Sequence, residues 1–424
     1  MSSFATVILA AGKGKRMKSE LPKVFHSVLG KTLIARVLDS TLFTKSLQIC
    51  VISPSSKEMF LKKLPQNVLT CIQTEQKGTG DAVKSAIPLL IKNKIQSVLI
   101  IPGDMPLIKK ETLKKLISTH KKEKNSVTIL TGLMENPKGY GRIIRNEKNQ
   151  ITAIVEEKDL LHTQKEIKEV NTGVYVFDTE LLRDCLSKIH PNNAQKEYYL
   201  TDTINIASNK NAKVGGFCIG FSDECSGINS RMDLANAVEI LRKQIIEKHL
   251  INGVTIEAPG TVYIDDNVKI GKDTIIKPFT IISHGVKIGN NCEVGPFSHI
   301  REGTILKDFA CVGNFVEVKK SILGKKTKAK HLSYLGNATL GDRVNIGAGT
   351  ITANYDGFNK HATKIGNGCK IGSNTVIVAP NIIGNDVITG AGTVIPANKN
   401  IKPRSLVYGI PAKVAKTNLT VLKK

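Results

Sequence analysis

Tryptophan is absent from the chain, and aromatic residues of all kinds make up only 5% of it. A surface that stacks successive nucleotide bases needs aromatic side chains. The 61 lysines and arginines, set against 36 acidic residues, are therefore read first as charge spread over solvated faces. No long pure run of Lys and Arg stands against that reading. The net charge of +25 leaves a second one open, attraction of phosphorylated small substrates, but no nucleic acid is expected as a partner. The eight cysteines are dispersed and none forms a Cys-x-x-Cys pair. That argues against a zinc site or a disulfide framework and predicts reduced thiols. No apolar run approaches the roughly 20 residues of a membrane helix, so no membrane insertion is expected. Residues 4–11 are too short for a signal peptide and run into Gly12. A cytoplasmic protein is expected.

What is present is a period of six. Aliphatic residues recur at Ile264, Ile270, Ile276, Ile282, Ile288, Val294, Ile300, Leu306, Val312 and Val318. The period returns at Leu340 and Ile346, and again at Ile365, Ile371, Ile377 and Ile383; it skips Thr389 and resumes at Ile395 and Ile401. Neither a helix, with period 3.6, nor an isolated strand, with period 2, explains six. A solenoid of very short strands does, with the aliphatic side chain inward. Glycine often follows the aliphatic residue, as at Gly271, Gly289, Gly313, Gly347 and Gly372, and is read as allowing a tight turn. Stretches 321–338 and 353–363 are read as interruptions of the repeat.

The first half alternates strand-like stretches (6–9, 48–53, 97–101, 127–130, 174–177) with helical ones (32–42, 80–90, 110–122). This rhythm predicts a mostly parallel sheet covered by helices, with ligands beyond the carboxyl ends of its strands. Met232, Ala235, Val238, Leu241, Ile245 and Leu250 form a helical stripe that Ser230 would cap. Three parts are expected: a domain over 1–228, a linker helix over 229–251 and a solenoid over 252–424 with a short basic tail.

Leu9-Ala10-Ala11-Gly12-Lys13-Gly14-Lys15-Arg16-Met17 leaves the first strand as a basic glycine-bearing loop, and Leu21-Pro22-Lys23 follows. Such backbone amides approach a phosphate closely. The loop is neither a Walker A motif nor the Rossmann fingerprint, because Met17 stands where a third glycine belongs. The string resembles the sugar nucleotidyltransferases. So do Gln73-Thr74-Glu75-Gln76-Lys77-Gly78-Thr79-Gly80, Gly139-Tyr140-Gly141-Arg142, Val155-Glu156-Glu157-Lys158, Asn171-Thr172-Gly173 and Gly227-Ile228-Asn229-Ser230-Arg231. In the solenoid, Arg301, Val316-Glu317-Val318-Lys319-Lys320, His331-Leu332-Ser333-Tyr334-Leu335-Gly336 and the run from Asn345 to Gly357 narrow the match. They resemble the bacterial bifunctional N-acetylglucosamine-1-phosphate uridylyltransferase/glucosamine-1-phosphate N-acetyltransferase family.

The resemblance implies an α/β plus all-β chain: a Rossmann-like nucleotidyltransferase domain, a linker helix and a left-handed parallel β-helix of hexapeptide repeats that forms a homotrimer. It implies acetyl transfer from acetyl-CoA to glucosamine-1-phosphate. Uridylyl transfer from UTP to N-acetylglucosamine-1-phosphate would follow, giving UDP-N-acetylglucosamine and pyrophosphate. By the same match Asp104 and Asn229 bind Mg²⁺, and Arg16 and Lys23 stabilise the transferring phosphate. Leu9, Ala10, Ala11, Gly12, Gln73, Gly78 and Thr79 hold the nucleotide; Gly141, Glu156 and Asn171 hold the sugar. His331 is the general base for acetylation, since an imidazole titrates near neutral pH, and Glu317 is expected to orient it. Arg301 and Lys319 take the sugar phosphate, Tyr334 and Asn345 with Asn354 and Tyr355 line the sugar and acetyl site, and acetyl-CoA is bound by Asn354 and Tyr355 and along the path of Ala348, Ser373 and Ala391.

Two positions depart from the family's pattern. Val407-Tyr408-Gly409-Ile410-Pro411 stands where relatives carry an arginine in a Ser-Arg-x-Pro string, which removes one implied contact to acetyl-CoA. Pro102 replaces a tyrosine. Two alternatives stay open: a uridylyltransferase whose solenoid only trimerises, and a non-catalytic regulatory subunit of the same layout.

Overall fold

The computed structural model describes residues 3–12 and 14–417; Lys13 of the glycine loop and the end of the tail lie outside the described residues. The chain forms two compact units, Met1–Ala237 and Val238–Lys424.

In the first unit, β1 (Phe4–Leu9), β2 (Leu47–Ile52), β3 (Val68–Ile72), β4 (Ser97–Pro102), β5 (Val127–Leu133), β6 (Glu169–Asp178) and β7 (Val214–Phe221) form one sheet. Their order is β7-β5-β6-β4-β1-β2-β3. All neighbours are parallel except β6, which runs against β4 and β5. Ala5 and Val7 of β1 join one apolar cluster and Ile8 another. Both faces are thus buried, which is why β1 and β4 read as near-continuous apolar runs, with Thr6 the one polar residue inside β1. Helix α1 (Leu33–Thr41) and helix α3 (Lys110–Glu123) cover one face through Ile34, Val37, Leu113 and Leu116. Helix α2 (Thr79–Lys92) covers the other through Ala82, Val83, Ala86 and Leu90. Strands β3 and β7 and the hairpin Arg142–Arg145 with Ile151–Val155 add to the predicted elements.

Helix α4 (Arg231–Ile251) begins on the predicted cap. Ser230 Oγ accepts from the Asp233 amide at 3.2 Å, and the Asp233 carboxylate accepts from the Ser230 amide at 2.8 Å, a reciprocal cap. The division between the units falls inside this helix. Among the described residues no helix is long and apolar enough to cross a membrane.

The second unit stacks two- to four-residue strands into three parallel sheets, apart from the antiparallel Lys413–Lys416 strand at the end. Each coil contributes one strand to each sheet. Ile264, Ile276, Ile282, Val294, Ile300, Val312 and Val318 all point into one continuous core and are at most 1% exposed.

Two readings of the repeat are corrected. Stretch 321–338 is not an interruption. Ile276 pairs with Val294 and Val294 with Val312, a coil of 18 residues. Val312 pairs with Ala329 and Ala329 with Ile346, coils of 17. Each short coil lacks one corner residue, so Leu323, Ala329 and Leu335 take the inward places out of phase with the earlier register. Only 353–363 is a true insertion, since Ile346 pairs with Ile371, a coil of 25. The glycines, secondly, do not make the turns. The left-handed residue lies two positions later, at Asn267, Asp273, Phe279, Asn291, Phe297, Phe309 and Phe315. The glycines let coils touch: a Cβ on Gly271 would sit 2.6 Å from the backbone of Gly289.

Candidate functional sites

At the carboxyl edge of the sheet the ends of β1 and β4 are clipped together, Gly103 N donating to Leu9 O at 2.9 Å. The Ala10 amide bonds Val51 O at 2.9 Å, and Gln76 Nε2 bonds Ala11 O at 2.7 Å. The loop is thus held from three sides up to Gly12, where an added Cβ would meet nothing within 4 Å. Gly14 is left-handed (φ 58°), and its missing side chain makes room for Lys23, whose Cβ would lie 2.9 Å from a Cβ there. Lys23 reaches in from this contact. Its ammonium pairs with the Asp104 carboxylate and donates to Asn229 Oδ1 at 3.2 Å. Asp104 and Asn229 therefore turn oxygens toward one cation, although they lie far apart in the chain. Two protein oxygens suit Mg²⁺, which keeps several waters and takes phosphate oxygens; among the described residues no larger His, Cys, Asp and Glu cluster competes. Arg16, on the short turn Lys15–Met17, is exposed. Arg231 ties that turn to the start of α4 through Met17 O at 3.2 Å.

Along the same edge Gln73 is 4% exposed and donates to Gly78 O at 2.9 Å and to Asp81 at 2.8 Å. Thr79 opens α2 and accepts from the Leu200 amide at 3.0 Å. Gly141 O accepts from the Asn171 amide at 2.9 Å, and Glu156 accepts from Thr201 Oγ1 at 3.1 Å. Burial pushes the Glu156 carboxyl above its ordinary range, with the nearby Asp202 charge adding to the shift. The Tyr140 hydroxyl is pushed above its ordinary range by burial, and it lies by Ser226 and Gly227, next to the Asn229 segment.

On the solenoid, Arg301 and Lys319 sit on neighbouring coils, because His299 pairs with Glu317 two residues before each. Arg301 Nη1 donates to Glu317 at 2.6 Å. The expected contact of Glu317 with His331 is not made; among the described residues the His331 imidazole has no hydrogen bond, and Glu317 serves Arg301. The Lys319 ammonium is pushed below its ordinary range by Arg301 first and by Lys360 next. Lys360 is thus a third cation of the cluster. Sequence reasoning missed it, because one lysine among 61 basic residues carries no signal of its own. Tyr334 pairs with Glu317, and its ring lies against Gly336. Asn345 pairs with Lys328 on the adjoining sheet. Asn354, 6% exposed, donates to Asn337 at 2.7 Å.

Tyr355 lies on the insertion, bridged to Lys360, and the remaining acetyltransferase positions fall into one column. Asn314 pairs with His331, and Ala348, Ser373 and Ala391 follow on successive coils. Asn374 N bonds Ala348 O at 2.7 Å and Gly392 N bonds Ser373 O at 2.8 Å, which keeps the column in register.

Residues 5–220 match the Nucleotidyl transferase family. Residues 267–302 and 285–320 match Bacterial transferase hexapeptide (six repeats). The chain is 42% identical to the "Bifunctional protein GlmU" of Streptococcus mutans, over 96% of this chain and 95% of that one. It is 44% identical to the protein of the same name from Thermosipho africanus, over 99% and 97%.

The chain belongs to the GlmU family.

Its second unit is accordingly a left-handed parallel β-helix of hexapeptide repeats. Against the GlmU pattern the carboxyl end stands out: continuing the register of Thr389 with Val407, Gly409 follows Ala391 in the column below His331. The position expected to carry a cation offers none. In the first unit, Pro102 packs on Gly173, where a Cβ would meet its ring at 3.0 Å.

Proposed function

We propose that this GlmU-family chain makes UDP-N-acetylglucosamine by two transfers at two separate sites. The observation that carries the proposal is that each unit holds its own cation-lined cluster. In one, Lys23 lies between Asp104 and Asn229; in the other, Arg301, Lys319 and Lys360 gather.

For acetyl transfer, Arg301, Lys319 and Lys360 hold the dianionic phosphate of glucosamine-1-phosphate and so fix the sugar amine. His331 accepts the proton that the amine loses as its lone pair attacks the thioester carbonyl. The C–S bond then breaks and coenzyme A leaves. A positioned base of this kind contributes about 10²–10⁴-fold. Glu317 sets the direction of Arg301 rather than that of the base. Tyr334, Asn345 and Asn354 line the sugar and acetyl site, and the column Ala348, Ser373 and Ala391 takes the acetyl-CoA arm with Tyr355.

For uridylyl transfer, the phosphate of N-acetylglucosamine-1-phosphate attacks the α-phosphorus of UTP and pyrophosphate leaves. Such transfers need positioning and charge neutralisation. Gly12, Gln73, Gly78 and Thr79 hold the nucleotide, while Gly141, Glu156 and Asn171 hold the sugar. Lys23 and Arg16 meet the charge of the transferring phosphate. Asp104 and Asn229 are the ligands for Mg²⁺, which when bound neutralises phosphate charge. The working assembly is a homotrimer in the cytoplasm, with acetyltransferase sites completed by neighbouring chains.

The test supplies glucosamine-1-phosphate, acetyl-CoA, UTP and Mg²⁺ and follows the nucleotide sugar. UDP-N-acetylglucosamine should form, and omitting acetyl-CoA should stop it. Product formed only from pre-acetylated sugar would leave a uridylyltransferase on a solenoid scaffold.

A further inference from the structure

The 25-residue coil spends its extra length on a hairpin, closed by His361 N to Asn354 O at 2.8 Å and by the bridge between Tyr355 and Lys360. Phe358 at its tip is 91% exposed, so packing within the chain does not hold the hairpin. Hydrogen bonds do: the Tyr355 hydroxyl donates to Gly357 O, and one carboxylate gathers most of the other side-chain bonds. Asp356 Oδ1 accepts from the amides of Phe358 at 2.8 Å and Asn359 at 2.6 Å, and Asp356 Oδ2 meets His361 Nε2 at 2.7 Å. The Asp356 amide donates back to Asn359 O at 3.2 Å.

The hairpin carries Lys360, whose charge acts on Lys319 as that of Arg301 does from the neighbouring coil. Three cations at close quarters repel one another, and an exposed lysine has long, free rotamers to escape along. Something must hold the backbone under Lys360 before a phosphate arrives to balance the charge. We propose that Asp356 and His361 are positioning residues: their side chains staple the hairpin so that Lys360 stays in the phosphate cluster, and glucosamine-1-phosphate binding depends on that staple.

This rests on the acetyltransferase reading above. The carboxylate suits the task, because the Asn359 amide first, and then the His361 imidazole, hold Asp356 well below the usual carboxylate range. It stays ionised, and the staple intact, throughout the pH range in which the sugar phosphate is charged.

The test measures coenzyme A release by the full-length protein, with KM for each substrate, in Asp356→Asn, His361→Phe and His361→Lys. Asp356→Asn keeps an acceptor for the amides but loses the carboxylate, and His361→Phe loses the donor. Both should raise KM for glucosamine-1-phosphate about fivefold, the size of a loosened, partly exposed charge contact. KM for acetyl-CoA should move less than about twofold in the same proteins. His361→Lys, which restores a donor to Asp356, should return KM close to wild type, a rescue that a packing role for His361 would not give. Unchanged sugar-phosphate KM in Asp356→Asn and His361→Phe, or equal rises for both substrates, would overturn the staple while leaving the acetyltransferase reading intact. A wild type that releases no coenzyme A would overturn that reading, and the staple with it.

Discussion

Lys23 and Asp104 form an ion pair at the carboxyl edge of the sheet, with side chains only 14% and 16% exposed. The ammonium lies where two oxygen donors converge, so Lys23 and a divalent cation would share the same neighbours. Removing the lysine should therefore have effects of opposite sign. Lys23→Met should bind Mg²⁺ roughly fivefold more tightly in the absence of nucleotide, by calorimetry, because a like charge is gone. Uridylyl transfer in the same protein should fall by about 10²-fold or more, because a cation that meets the transferring phosphate is lost. Weaker metal binding in Lys23→Met would show that the two cations do not compete.

Asp104→Asn tests the other partner. Pyrophosphate release should fall about 10²-fold or more and respond poorly to added Mg²⁺, while coenzyme A release is retained. Chelation of the wild type should divide the two activities in the same way.

Asp202 lies near Glu156, and its carboxyl is pushed up to about 6, by burial first and by Asp159 next. The folded pKa is above the ordinary 3.8, so the folded chain holds this proton more tightly than the unfolded chain does. Its contribution is present below pH 3.8 and is lost as pH rises through about 6. Asp202→Asn should raise Tm by about 2–4 °C at pH 7.5 and leave it near wild type at pH 4. Melting curves at the two pH values check the sign.

Thr389 breaks the aliphatic register, and on periodicity alone Thr389→Ile would be expected to improve the core. The structure predicts the reverse. Thr389 is 3% exposed, accepts from the Gly372 amide at 2.8 Å and contacts Thr375 Oγ1 at 3.1 Å. Isoleucine would leave that amide unpaired and add bulk, at a cost of about 1–3 kcal/mol. Denaturant unfolding should show a lower midpoint.

Much of this is legible in the amino-acid sequence. The hexads were readable because most inward residues are large aliphatics at fixed spacing, and β1 and β4 because burial on both faces makes them near-continuous apolar runs. The single-residue shortenings were not, since a shift from 18 to 17 between Val312 and Ala329 looks like loss of the repeat when phase is held constant. Strand β7 was hidden by Gly215 and Gly216, which dilute its pattern, and β3 by its exposed Leu69 and Ile72. The site residues were legible as strings, but their partners were not. That Glu317 turns to Arg301, that Lys360 joins Lys319 and that Lys23 reaches Asp104 depend on coil stacking and strand order, which bring distant segments together.

The most direct test of two separate sites is coenzyme A release from acetyl-CoA with glucosamine-1-phosphate as acceptor, in wild type and His331→Ala, with magnesium-dependent pyrophosphate release from UTP and pre-acetylated N-acetylglucosamine-1-phosphate measured on the same protein preparations. His331→Ala should abolish coenzyme A release and leave pyrophosphate release unchanged. Equal coenzyme A release in both proteins would contradict His331 as the base, and none from the folded wild type would contradict the acetyltransferase half itself.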